Sequence, residues 1–510
     1  MDHLAADLLV GLSTAVSPYN LLYCFFGVVL GTLVGVLPGL GPVATIAMLL
    51  PVTFALPPAA ALIMLAGIYY GAQYGGSTTA ILIKLPGEVS SAVTAIDGHE
   101  MTRNGKAGLA LATAAIASFI AGTIGNAFLV LFAPALSLFA LSFGPAEYFA
   151  LMLLGLMAAA LLAQGPLPKT IGMTLLGLLL GLIGTDVETG LRRFDLGIPE
   201  LSDGVGFIVL AMGIYGVGEI LSNLEDDERQ RPFARAIKLM PTWHEVKSML
   251  GASFRGTAVG SLLGLLPGGG ATLASFTAYS LERQIAKDPT RFGKGAIEGV
   301  AAPEAANNAA AQTSFIPMLT LGIPSNPVMA LMIGAMMIQG IQPGPAILTN
   351  QPQIFWGLVI SMWIGNVFLV ILNLPLVGIW IKLLSVPYRT LYPAILIFCI
   401  IGVLGLNNST FEVGLLAVFG ILGYLFVKLD CEPAPLLMGF ILGPMMEENL
   451  RLALVLSRGN VSVFFVRPIS LGILTLTAIS VAAFVVASSR RSRAPLAASI
   501  AGGGIADGRG

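Results

Sequence analysis

Charge is what this chain has least of. Only 10% of its 510 residues are Asp, Glu, Lys or Arg, against 56% hydrophobic residues, and the mean hydropathy is +0.87. So few charges exclude a soluble protein and predict a chain that crosses the membrane repeatedly. The net charge of -1 points to no charged partner, and no nucleic-acid partner is expected. Cysteine is scarce as well. Cys24, Cys399 and Cys431 lie far apart in or beside apolar segments, which suggests neither a disulfide framework nor a metal site.

Catalytic signatures are missing. His3, His99 and His244 fall in polar or terminal stretches, and no Ser/His/Asp grouping follows from spacing, so no enzyme is expected. No Walker A lysine follows the glycines of residues 264–270, so ATP does not drive transport within this chain. The apolar segments are continuous runs without short-period alternation, which argues for helices and against a barrel. The N-terminal MDHLAADLLV lacks the basic start of a signal peptide and is expected to be retained.

What the chain does have is a broken apolar segment that occurs twice. Residues 27–42 read GVVLGTLVGVLPGLGP, with Gly27, Gly31 and Gly35 on one helical stripe, followed by Pro38, Gly39, Gly41 and Pro42. Proline removes a donor and glycine permits non-helical angles, so the helix must stop and leave backbone groups that need partners at membrane depth. Adding 229 superposes Gly27, Gly31, Gly35, Pro38, Gly39 and Gly41 on Gly256, Gly260, Gly264, Pro267, Gly268 and Gly270, with Gly269 between the last two. Paired interruptions in two halves point to a transporter's binding site. The competing reading is two glycine-rich helix ends at a packing interface. Helices resuming at Val43 and Ala271 would aim their N-termini at an anion, while freed carbonyls would suit a cation.

Each break is followed by a polar element. Residues 73–86 read QYGGSTTAILIKLP and offer Ser77, Thr78 and Thr79 as donors. Residues 299–327 carry Glu304, Asn307, Asn308, Gln312, Thr313 and Ser314 within a helix, then a proline-punctuated turn. Amides in a membrane helix need partners, and two adjacent ones face different directions. They either hold a neighbouring helix or coordinate an ion or carboxylate. Of the ionisable residues in apolar surroundings, Glu304 and Lys84 remain as site candidates, whereas Glu88, Glu147, Glu219 and Glu412 fall near segment ends and read as interfacial charges.

The expected architecture is all-α: a polytopic membrane protein with roughly a dozen transmembrane helices, two internal repeats and paired broken helices. Residues 1–222 form the first repeat and 251–487 the second. Between them lies a charged linker, 223–250, placed on the cytoplasmic side by Arg229, Arg231, Arg235, Lys238 and Lys247. Pro134 is expected to bend or divide the long apolar run 109–142, and the Ala/Gly/Ser-rich tail, 488–510, is expected to be disordered.

At GVLPGLGP (35–42), YGGSTTAILIKLPGE (74–88), GLLPGGG (264–270), PEAANNAAA (303–311) and LTLGIPSNP (319–327) the chain resembles the tripartite tricarboxylate transporter family, large membrane subunit of the TctA type. The likeness covers nearly the whole chain. Gln312, Thr313 and Ser314 depart from the small residues usual there in the family. The resemblance implies a secondary permease of the bacterial inner membrane that imports a di- or tricarboxylate. It implies symport with a sodium or proton gradient, so Na+ is one option for the coupling ion. It also implies two partners, a small TctB-type membrane subunit and a periplasmic TctC-type solute-binding protein. The expected substrate- or ion-binding groups are Ser77, Thr78, Thr79, Asn307 and Asn308, with backbone from Pro38, Gly39, Gly41, Pro267, Gly268, Gly269 and Gly270. The rival expectation is an uncoupled channel or scaffold subunit.

Overall fold

The computed structural model describes residues 2–37, 41–84, 86–163, 165–186, 189–224, 241–266, 270–383 and 388–483. Pro38, Gly39, Pro267, Gly268, Gly269, most of the charged linker and the C-terminal tail lie outside these. The described chain is helical almost throughout. Its one sheet is a strand pair, β1 (Gly184–Thr185) antiparallel to β2 (Arg192–Arg193).

The first half contains α1 (Asp2–Ala15), α2 (Pro18–Val36), α3 (Pro42–Phe54), α4 (Pro58–Ile83), α5 (Thr94–Arg103), α6 (Ala107–Ala140), α7 (Pro145–Leu162), α8 (Leu167–Gly181), α9 (Phe207–Ala211) and α10 (Gly218–Asn223). A π-helical turn, Met212–Val217, joins the last two. The second half contains α11 (Trp243–Gly264), α12 (Gly270–Ile285), α13 (Glu298–Thr313), α14 (Phe315–Leu321), α15 (Pro327–Ile338), α16 (Ile347–Asn350) and α17 (Pro352–Asn373). It continues with α18 (Val377–Leu383), α19 (Tyr388–Asn407), α20 (Thr410–Lys428), α21 (Ala434–Leu456), α22 (Val463–Val466) and α23 (Pro468–Ala483). Proline occupies the first or second position of α2, α3, α4, α7, α8, α15, α17 and α21, where its missing N–H is not needed.

Among the described residues four helices, α2, α6, α17 and α20, are long and apolar enough to cross a membrane, and several shorter apolar helices accompany them. Two sequence expectations change. Pro134 does not divide α6, which runs through it for 34 residues at the loss of one helical hydrogen bond. Residues 73–83 are the end of α4 and not a separate element, because Gly75 and Gly76 are held in the helix by its neighbours. In the second half, α21 extends to Leu456, and on it Arg451 Nη1 meets Asp186 Oδ2 at 2.9 Å.

The core is built on close backbone contact. The most extensive helix pairings are α2 with α4 and α11 with α13. A Cβ added to Gly27, Gly31 or Gly35 would collide with the backbone oxygens of Met64, Ile68 and Ala72, four residues apart on α4. In turn Gly67, Gly71 and Gly75 of α4 receive the backbone of α2. Gly256, Gly260 and Gly264 of α11 meet the carbonyls of Ala302, Ala306 and Ala310 on α13 in the same way. Across the middle, α13 packs on α6, α4 packs on α17, and α6 and α17 pack on each other. Asn126 Nδ2 of α6 bonds Val359 O of α17 at 2.9 Å, and Trp363 Nε1 of α17 bonds Thr123 O of α6 at 3.2 Å.

Candidate functional site

Where α4, α6 and α13 meet, a carboxylate is sealed in the interior. Glu304, on the buried helix α13, is 1% exposed. Its Oε1 accepts a hydrogen bond from Thr94 Oγ1 of α5 at 2.6 Å, and Ser77 Oγ of α4 stands 2.7 Å from both Oε1 and Oε2. Ser118 Oγ of α6 approaches Oε2 at 3.3 Å and itself receives Asn308 Nδ2 at 2.7 Å. Among the described residues no Lys, Arg or His pairs with Glu304. A carboxylate in such a place is sustained by a proton or a cation, because an isolated buried charge is very costly.

One helical turn further along α13, Asn307 Nδ2 donates to Glu88 Oε1 at 3.1 Å. Ser90 Oγ contacts Glu88 and also donates to Gln73 Oε1 of α4 at 3.1 Å. The second carboxylate is thus tied to the same two helices as the first. Beside Glu304 a small pocket is lined by Tyr74, Ser77, Thr78, Ser118, Glu304 and Asn373 among others, with room for about one water at most. Among the described residues, two buried acceptors, Asn307 Oδ1 and the pocket's Asn373 Oδ1, have no donor. Unfilled buried acceptors beside a carboxylate mark a place for a donor or a hard cation, which oxygen ligands suit. Among the described residues no cluster of three or more His, Cys, Asp or Glu exists to hold a transition metal.

The structure divides the sequence candidates. Ser77, Asn307 and Asn308 converge on the two carboxylates, and Thr78 lines the pocket. The two amides face different neighbours, as their positions on a helix require. Thr79 does not join them: its Oγ1 returns to Gly76 O of its own helix at 2.9 Å. Gly41 N donates to Glu219 Oε1 at 3.2 Å at the start of α3, so a protein carboxylate already serves that amide. Gly270, at φ +49°, opens α12 beside Asn326. The other glycine and proline candidates lie outside the described residues.

Of the two ionisable candidates, Glu304 is central, whereas Lys84 is exposed and forms the left-handed end of α4. Glu147 is a buried structural charge: it caps α7 by accepting from Gly144 N at 2.8 Å and pairs with Arg467 Nε at 2.6 Å. Sequence reasoning missed Glu88, Gln73, Ser90, Thr94 and Ser118. For Glu88 a signal existed, its place directly after the polar element, but proximity to a proline turn made it read as interfacial. Thr94 and Ser118 carry none, since single hydroxyls on helices have no distinctive pattern.

A bundle of helices, four of them long and apolar enough to cross a membrane, with carboxylates held by hydroxyls and amides in its interior, is the build of a polytopic α-helical membrane protein. Comparison with known proteins makes this specific. The sequence model of the tripartite tricarboxylate transporter TctA family matches residues 21–438. A 52.8 kDa uncharacterized protein from the TAR-I ttuC' 3' region of Agrobacterium vitis is 54% identical over 494 residues, covering 97% of this chain and 98% of that protein. Another uncharacterized protein, from the TAR-II ttuC' 3' region of the same organism, is 58% identical over 234 residues, 46% of this chain and 97% of the relative. No solved structure matches. The chain belongs to the tripartite tricarboxylate transporter TctA family.

Proposed function

We propose that this chain is the permease subunit of a secondary active importer of a di- or tricarboxylate in the bacterial inner membrane. It draws on a sodium or proton gradient, receives substrate from a periplasmic TctC-type binding protein and works with a small TctB-type membrane subunit. The observation that carries this reading is Glu304, a carboxylate without a cationic partner, held at the meeting of helices from both halves of the chain. Such a group binds and releases a cation or proton as the bundle opens, and that is what coupling requires.

The reading includes two repeats, residues 1–222 and 251–487, joined by the cytoplasmic linker 223–250, with roughly a dozen spans between them. A register supports it. Adding 238 carries α4 onto α13 and α14, Lys84 onto Gly322, both left-handed helix ends, and Pro86 onto Pro324. The same shift carries Glu88 onto Asn326 and Tyr69 onto Asn307. Glu88 meets Asn307 at 3.1 Å, and Asn326 meets Tyr69 Oη at 3.3 Å. Position 88 of one half thus touches 307 of the other, and 326 touches 69, the reciprocity of a two-fold related pair. Substrate binding is assigned to this junction, with Ser77, Thr78, Asn307 and Asn308 as its side chains and the glycine turns supplying backbone groups.

The test is uptake of labelled di- and tricarboxylates into vesicles carrying this chain with both partners, under sodium and proton gradients imposed separately. Accumulation that needs a gradient and the binding protein is expected. Equilibration without accumulation would make the chain an uncoupled channel, and no uptake of any carboxylate would leave it a scaffold.

A further inference from the structure

We propose that Glu304 is a proton-binding site, occupied by a proton in the arrangement described here, and that Ser77 is the hydroxyl that accepts the hydrogen bond of that proton. The assignment deepens the transporter reading by choosing the coupled ion.

The argument is a count of hydrogens. A serine hydroxyl carries one proton. Ser77 Oγ nevertheless stands within hydrogen-bonding distance of three acceptor oxygens, Glu304 Oε1 and Oε2 at 2.7 Å each and Gln73 O at 3.0 Å. With Glu304 ionised, one of the three is served and the others are oxygen facing oxygen. A proton on Oε2 reduces the conflict to the one contact between Ser77 Oγ and Oε1: Glu304 donates from Oε2 to Ser77 Oγ, Ser77 passes its own hydrogen to Gln73 O, and Thr94 serves Oε1 at 2.6 Å. Ser118 is engaged by Asn308 and stands further off, at 3.3 Å.

The distances also weigh against a metal cation between these groups. Oxygens sharing a cation of calcium's size sit about 2.3–2.6 Å from it and so about 3 Å or more from one another. The hydroxyls of Ser77 and Thr94 touch the carboxyl group directly at 2.6–2.7 Å. Those separations are the lengths of O–H···O hydrogen bonds.

No neighbouring charge supplies the compensation instead. Helices α4, α6 and α17 contain no Asp, Glu, Lys, Arg or His; of Tyr69, Tyr70 and Tyr74 on α4, Tyr74 lines the pocket beside Glu304, and its hydroxyl donates to Asn366 Oδ1 at 2.8 Å. On α5, Asp97 is committed to the backbone of Gly293, Gly295 and Ala296 and to Tyr279 of α12, and His99 Nδ1 lies 3.3 Å from Ile81 O. Arg255 of α11 is committed to Glu282 of α12. Glu88, held by Asn307 one turn further along α13, brings no positive charge. Release gives the carboxylate and a proton to water when the site opens, with no other group transferred.

Infrared difference spectroscopy of the full chain in lipid vesicles tests this without a substrate. Wild type and Glu304→Gln are compared at neutral pH, in choline chloride and again in sodium chloride. The expected result is a carbonyl band of a protonated carboxylic acid present in wild type, lost in Glu304→Gln and indifferent to sodium. Ser77→Ala shifts the same band by removing its acceptor, and this variant carries the test if Glu304→Gln does not fold. No acid band lost in Glu304→Gln, no shift in a folded Ser77→Ala, or a band that sodium titrates away, overturns the proposal. The reading of the chain as a transporter fails separately: the band in a chain that accumulates no carboxylate upholds the proton site and removes its transport role.

Discussion

Tyr279 donates its hydroxyl to Asp97 Oδ2 at 2.8 Å, and the other oxygen of the same carboxylate collects the backbone N–H groups of Gly293, Gly295 and Ala296 at 2.9, 2.8 and 2.8 Å. One side chain from α5 thereby organises the approach to α13 from the other half of the chain. Gly295 makes its turn there at φ +98°, a conformation glycine permits.

Replacing Asp97 by alanine is therefore expected to leave three N–H groups without acceptors, at about 1–3 kcal/mol each. Thermal unfolding of the purified chain should fall sharply for Asp97→Ala. Asp97→Asn keeps an acceptor and should lose less, and Tyr279→Phe should lose about 1 kcal/mol. Equal stability of Asp97→Ala and wild type would remove the carboxylate from this role.

The glycine seams make a contrast available within one chain. Gly31→Ala places a methyl against the backbone of Ile68 and is expected to abolish the folded bundle or lower its melting temperature strongly. Gly172→Ala, in α8 with nothing within 4 Å, should be neutral or gain up to about 1 kcal/mol from helix propensity. Size-exclusion profiles after heating read both.

Asn307→Ala and Asn308→Ala are expected to abolish gradient-driven carboxylate uptake while leaving a monodisperse protein. Asn307→Ala unties Glu88, and Asn308→Ala frees Ser118 from its donor. Uptake at the wild-type rate in either variant would exclude that amide from the transport site.

The pair Glu147–Arg467 links α7 to the start of α23. Because Glu147 is buried and Arg467 half exposed, Arg467→Ala should cost about 2 kcal/mol or less, and Glu147→Gln in the same chain should recover part of it. A double-mutant cycle in thermal unfolding measures the coupling, and strict additivity would assign the stabilisation to the helix cap alone.

Much of this arrangement could be read from the residues. The four-residue glycine spacing of 27, 31 and 35 identified a helix face made for close approach, and the repeat at 256, 260 and 264 placed a second one. Adjacent amides on α13 had to diverge, and they do. What spacing cannot supply is the partner: nothing at Met64, Ile68 or Ala72 announces that its carbonyl receives a glycine, since the contact is made by backbone common to all residues. Gly75 and Gly76 make the same kind of contact, with the backbone of α2 and of Gly87 and Glu88. Thr94 and Ser118 entered the site through helix crossing, which no local pattern encodes.

A seam of backbone on backbone has no side-chain slack to absorb sliding. Along α2 and α4 the contact runs from Gly27 to Gly35, and along α11 and α13 from Gly256 to Gly264, so each pair behaves as one beam. Ser77 rides on the first beam and Glu304 on the second. Parting the two beams would break the contacts of Ser77 with Glu304 and of Asn307 with Glu88 while leaving each seam whole.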